Sequence, residues 1–169
     1  MERDVAERYT TFLNGPEATV KLAEQLAGTL HAGVIYLQGD LGTGKTSLVR
    51  AMLQALGVTG RIKSPTYSLL ESYRLPWGIA WHLDLYRIAD PGELEWLGLD
   101  ALDESTSLVL IEWPERGQGA LPAPDLLIRL QHFENSRQAE LEARTPQAAA
   151  WLDRLPASRH TPIESPRSC

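Results

Sequence analysis

The stretch Gly39-Asp40-Leu41-Gly42-Thr43-Gly44-Lys45-Thr46 constrains this chain more than any other. It fits the pattern G-x-x-x-x-G-K-[ST], whose glycines let the backbone take positive φ and approach an anion closely. Consecutive N–H groups then point inward as an anion nest. The start of a helix adds unpaired N–H groups and the positive end of its dipole. A lysine supplies a mobile positive charge, and a hydroxyl offers an oxygen ligand for Mg²⁺. The pattern carries weight only between a buried strand and a helix. Here Val34-Ile35-Tyr36-Leu37 precedes it as a short β-branched and aromatic run, and a helical pattern follows from about Lys45 to Leu56, stopped by Gly57. The loop therefore reads as a triphosphate site, with Lys45 on the β- and γ-phosphates and Thr46 on the metal.

The rest of the chain supplies one globular domain around that unit. Its 169 residues, 43% hydrophobic and 22% charged, suit a single core. The expected domain runs over residues 1–155. Residues 156–169 are rich in Pro, Ser and charge and are expected to be disordered. Strands are predicted at Tyr9–Leu13, Tyr67–Tyr73, Ile79–Asp84, Leu108–Ile111, Leu126–Leu130 and Ala139–Ala143. Helices are predicted at Glu17–Leu30, Glu93–Trp96 and Pro146–Leu155. The formal net charge of −6 argues against a protein that holds RNA by its own phosphate neutralisation. One cysteine, Cys169, gives no internal disulfide and no Cys-based zinc site. The N-terminus lacks an apolar leader and no run approaches membrane-spanning length, so a soluble cytoplasmic protein is expected.

A phosphate loop of this kind needs an acid beside the metal, usually at the end of a second buried strand. Leu108–Ile111 ends in Glu112, which fills that role on paper. Trp113 follows it, placed either to cover the site or simply to pack. Ser64-Pro65-Thr66-Tyr67 lies one helix after the loop, where a segment that senses the γ-phosphate commonly stands. Asp84, at the end of its strand, can orient an attacking water or stand behind the metal. His82, two residues earlier, reads as a packing histidine.

Absent motifs narrow the class. The only asparagines, Asn14 and Asn135, are not followed by Lys, so no N-K-x-D guanine reader exists, and no D-x-x-G follows the loop. The arginines are scattered rather than gathered into a kinase-like lid. A small-molecule kinase and a non-hydrolysing nucleotide-gated adaptor stand as alternatives to an ATPase.

Four motifs in order then resemble one family. GDLGTGKT, KSPTYSLLESY (Lys63 to Tyr73), HLDLYRIADPGELEWLG (His82 to Gly98) and IEWPERG (Ile111 to Gly117) look like the TsaE-type ATPase of tRNA threonylcarbamoyladenosine biosynthesis. The resemblance spans about residues 10–145. It implies an α/β fold of the P-loop NTPase type, a three-layer sandwich with a mostly parallel central sheet. It implies a bacterial cytoplasmic ATPase, weak alone, that binds ATP and Mg²⁺. Its partners would be the threonylcarbamoyl-transferase subunit and that subunit's inactive paralogue, with tRNA reached through them. ATP hydrolysis would reset that complex as it modifies adenosine 37 of tRNAs reading A-starting codons. By the same resemblance Asp40, Leu41, Gly42, Thr43, Gly44, Lys45 and Thr46 hold the phosphates, and Thr46 and Glu112 ligate Mg²⁺. Thr66 belongs to the first switch, Asp84 serves hydrolysis, Trp113 flanks the nucleotide, and Arg137 reaches it from a late turn. The adenine would rest near the turn Asn14–Pro16. Thr43 stands where the family often has Ala.

Overall fold

A computed structural model describes residues 7–65, 67–99, 102 and 106–156. Seven strands form one sheet: β1 (Arg8–Leu13), β2 (Gly33–Gln38), β3 (Leu70–Leu75), β4 (Gly78–Asp84), β5 (Ser107–Glu112), β6 (Leu126–Phe133) and β7 (Ser136–Ala143). Their spatial order is β1-β7-β6-β2-β5-β4-β3. The central strands β6, β2, β5 and β4 are mutually parallel, whereas β3, β7 and β1 join by antiparallel pairings. The sheet is thus mixed, with its parallel part at the centre where both faces are covered.

That burial explains why β2 and β5 read as unbroken apolar runs. Ile35, Leu37, Leu108 and Leu110 face one core, with Ile128 of β6 and Leu141 of β7. The helices α1 (Pro16–Ala27), α2 (Lys45–Ala55) and α3 (Pro146–Asp153) close that core through Leu22, Leu26, Leu48, Met52, Trp151 and Leu152. The alternate residues Val34, Val109 and Ile111 face a second core with Leu83, Leu85, Ile88 and Leu94. Among the described residues the short 3-10 segments Pro91–Leu97 and Pro114–Gly117 lie on this side. Asp90 caps the first by accepting a hydrogen bond from the Gly92 N–H at 2.9 Å, and Gly98 ends it in the left-handed conformation at φ 66°.

Several boundaries differ from the sequence reading. The helix expected to reach Leu30 ends at Ala27, although Leu30 stays buried, so the apolar spacing outlasts the helix. The strand expected from Tyr67 begins at Leu70. Before it the chain turns, with the Leu69 N–H donating to the Pro65 carbonyl at 2.8 Å and Leu69 at φ 64°. Helix α3 stops at Asp153 rather than Leu155. The strands β6 and β7 extend beyond their apolar cores to meet at Phe133 and Ser136 around a two-residue turn. Thr66 and residues 157–169 lie outside the described residues. Among the described residues no helix is long and apolar enough to cross a membrane.

Candidate nucleotide site

In an open α/β sheet, ligands gather beyond the carboxyl ends of parallel strands, where the strand order switches. Here β2 is that switch point, flanked by β5 on one side and β6 on the other. The phosphate loop leaves its carboxyl end. Glu112 and Asp84 end β5 and β4, and they are register partners across the parallel pair. Because β7 runs antiparallel to β6, its first residues, with Arg137, reach the same edge. Topology alone therefore gathers residues from sequence positions 39 to 137.

Gly39, Gly42 and Gly44 take φ of 153°, 80° and 99°. Gly44 begins α2 with no side-chain cap on the helix N–H groups, which leaves donors for an anion. The Thr43 hydroxyl donates to the Asp40 carbonyl at 2.8 Å and folds the loop on itself. Asp40, Leu41 and Gly42 are exposed at its tip.

Lys45 is only 5% exposed. Its Nζ donates to the Gly39 and Asp40 carbonyls at 2.5 and 3.0 Å and lies 4.3 Å from the centroid of the Trp113 ring. Burial lowers its pKa from the ordinary lysine range, while the carboxylates of Glu112, Glu115, Asp84 and Asp40 oppose that shift. Trp113 itself is in the left-handed conformation at φ 57°, uncommon for a bulky residue. Tyr86 leans on Trp113 at 5.0 Å between ring centroids.

The Thr46 hydroxyl donates to Glu112 Oε1 at 2.7 Å. Glu112 is 2% exposed, and its other oxygen, Oε2, lies 2.6 Å from His82 Nε2. Asp84 Oδ1 accepts from the Tyr86 N–H at 3.1 Å. Burial raises the Asp84 pKa above the ordinary carboxylate range, and the Glu112 charge adds to that. The Tyr86 N–H, His82 and Lys45 pull the other way.

A cavity of about 470 Å³ joins these groups, lined by Gly44, Lys45, Thr46, Asp84, Glu112, Trp113 and Arg137 among others. A second, of about 600 Å³, is lined by Leu13, Gly15, Pro16, Val20, His132, Asn135 and Arg137. Arg137 is common to both, and a methyl group on Gly44 would lie 2.5 Å from its Nη1. The structure thus brings together Lys45, Thr46, Asp84, Glu112, Trp113 and Arg137, while Thr66 lies outside the described residues. Sequence reading missed two contributors. Tyr86 lies inside the His82–Gly98 motif but was given no role there. His82, read as packing, contacts Glu112 directly. Its signal was the two-residue step from Asp84, which puts both side chains on one face of β4.

Mg²⁺ usually takes one or two protein oxygens and completes its shell with phosphate and water. The close Thr46 and Glu112 oxygens fit that donor chemistry. Among the described residues no group of three or more His, Cys, Asp or Glu could hold a metal, which a metal relying on phosphate oxygens does not require.

Fold and loop together define a P-loop-type α/β protein. The family model described as "Threonylcarbamoyl adenosine biosynthesis protein TsaE" matches residues 13–140. The chain belongs to the TsaE family. It is 48% identical over 117 residues to the tRNA threonylcarbamoyladenosine biosynthesis protein TsaE of Haemophilus influenzae, covering 69% of this chain and 74% of that one. It is 38% identical over 131 residues to the protein of the same name from Rickettsia bellii, covering 76% and 90%. The crystal structure of YdiB from Bacillus subtilis shares the fold, with a TM-score of 0.75 at 24% identity over 89% of this chain and 95% of that one.

Proposed function

We propose that this chain is a Mg²⁺-dependent ATPase that serves tRNA threonylcarbamoyladenosine formation. The observation that carries the reading is the 2.7 Å contact between the phosphate-loop hydroxyl of Thr46 and the strand-end carboxylate of Glu112. It supports the reading because a phosphate-loop hydroxyl and a strand-end carboxylate stand close enough to share one cation, beside Lys45. The triphosphate lies in the first cavity, over the N–H groups of the loop and of α2. Lys45 then exchanges the Gly39 and Asp40 carbonyls for phosphate oxygens and moves relative to the Trp113 face. Bound Mg²⁺ offsets phosphate charge. Arg137 stands between the two cavities and contacts the phosphate side. The adenine occupies the second cavity, by the turn after β1 and the β6–β7 turn. Asp84 orients the attacking water, a role that its raised pKa suits.

The family membership supports the tRNA pathway, and the acidic chain supports action through partners rather than by direct RNA binding. We propose those partners to be the threonylcarbamoyl-transferase subunit and its inactive paralogue, with hydrolysis resetting their complex between turnovers in the cytoplasm. Mass spectrometry of tRNA nucleosides tests the pathway. Cells depleted of this protein are expected to lose the modified adenosine at position 37. Unchanged levels in a host without a redundant system would contradict the assignment.

A further inference from the structure

Glu112 is a carboxylate 2% exposed, and His82 beside it is 1% exposed. A buried carboxylate is costly unless hydrogen bonds satisfy it. Both Glu112 oxygens are engaged: Oε1 accepts from Thr46 and Oε2 meets His82 Nε2 at 2.6 Å. A histidine Nε2–H can donate to a carboxylate oxygen, which leaves both Glu112 oxygens held as acceptors. The terminal torsion of a glutamate is broad and roughly two-fold. Pinning both oxygens fixes its plane and decides which oxygen faces the phosphate loop.

The pinning comes from sheet register. His82 pairs with Leu110 across the parallel β4–β5 ladder, which puts it diagonally behind Glu112 on the same face. Glu112 and Thr46 line the first cavity and His82 does not, so His82 reaches a ligand only through Glu112. Its Nδ1 is buried with no hydrogen-bond partner among the described residues. A buried polar atom left unmet asks for a reason. A purely space-filling residue would avoid that cost, and the Nε2 contact is what the imidazole gives in return.

We infer that His82 is a positioning residue that holds the Glu112 carboxylate in the orientation that presents Oε1, beside the Thr46 hydroxyl, to the nucleotide-bound cation. The inference rests on the Mg·ATP reading of the site. It separates two jobs: the loop holds the triphosphate, and His82 acts on the metal through Glu112.

Three variants of the full chain test it: His82→Gln, His82→Asn and His82→Ala. The longer Gln side chain can carry an amide nitrogen to the place of Nε2, whereas Asn places its own near Nδ1. ATP binding is measured by calorimetry in EDTA and across a Mg²⁺ titration. Bound Mn²⁺, used in place of Mg²⁺, is counted by electron paramagnetic resonance. Thermal unfolding without nucleotide confirms that each variant folds. Loss of a hydrogen bond behind a metal ligand typically weakens the metal by about 10–100-fold. That loss of metal affinity is expected for Asn and Ala, with Gln restored to within a few fold of wild type. Metal-free ATP affinity is the internal reference and is expected to hold within about threefold. Wild-type metal dependence in all three variants overturns the inference, and so does an equal loss in Gln and Asn. A wild-type protein whose ATP binding ignores Mg²⁺ overturns the site reading and this inference together, an outcome distinct from the other two.

Discussion

Asp84 is the residue where burial and chemistry pull hardest against each other. Its folded pKa is raised, so the folded state favours the protonated carboxyl more than the unfolded chain does. The stability linked to that proton is complete below the unfolded value of about 4 and is lost as pH rises through the folded value. Asp84→Asn keeps an acceptor for the Tyr86 N–H and removes the disfavoured charge. Without nucleotide, the variant's Tm is expected to match wild type near pH 4 and to exceed it by a few degrees near pH 8. A gap that does not change with pH would contradict this origin. The same variant is expected to bind ATP while hydrolysis falls about 100-fold or more, the range for loss of a positioned base. Lys45→Ala is expected to abolish ATP binding in calorimetry. Residue types and order made Lys45, Thr46 and Glu112 legible in the sequence, because a motif fixes the first two and a strand end the third. The step from His82 to Asp84 put the two on one strand face, but the contact of His82 with Glu112 was not legible, because it depends on which strand neighbours which. Nothing in a run of amino acids says that β4 lies beside β5.

At the scale of elements, one edge of the sheet does the gathering. Gly39 shows how tight that edge is: its φ is 153°, and a Cβ there would run into the Leu130 carbonyl of the neighbouring strand. Gly39→Ala is expected to cost about 2 kcal/mol or more, read as a lower denaturation midpoint, because a backbone atom cannot move aside cheaply. The β6–β7 hairpin carries Arg137 over the loop. Arg137→Ala is expected to weaken ATP by about 10-fold or more, the loss of charged hydrogen bonds, with little change in stability. Binding within threefold of wild type would remove Arg137 from the site. The strand cores were readable from apolar runs. The hairpin's length was not, since its outer residues apart from Phe133 are polar and are set by cross-strand pairing rather than by burial. The shift from Tyr67 to Leu70 has a similar cause, a turn fixed by the backbone contact between Leu69 and Pro65.

For the molecule as a whole, the mixed sheet sets helices against one face and short 3-10 segments against the other. The second face also presents an aromatic side chain to solvent: Trp96 is 90% exposed on the segment Pro91–Leu97. Lys45 donates to two carbonyls of its own loop and lies under the Trp113 ring. Steady-state ATP hydrolysis in Mg²⁺ is the decisive test of the partner-dependent ATPase proposed for this chain. The measurement is made on this protein alone and then with the transferase subunit and its inactive paralogue added. Slow hydrolysis alone, a clear rise with the pair, and loss of both in Lys45→Ala are expected. Hydrolysis that the pair leaves unchanged, or that survives in Lys45→Ala, would contradict it.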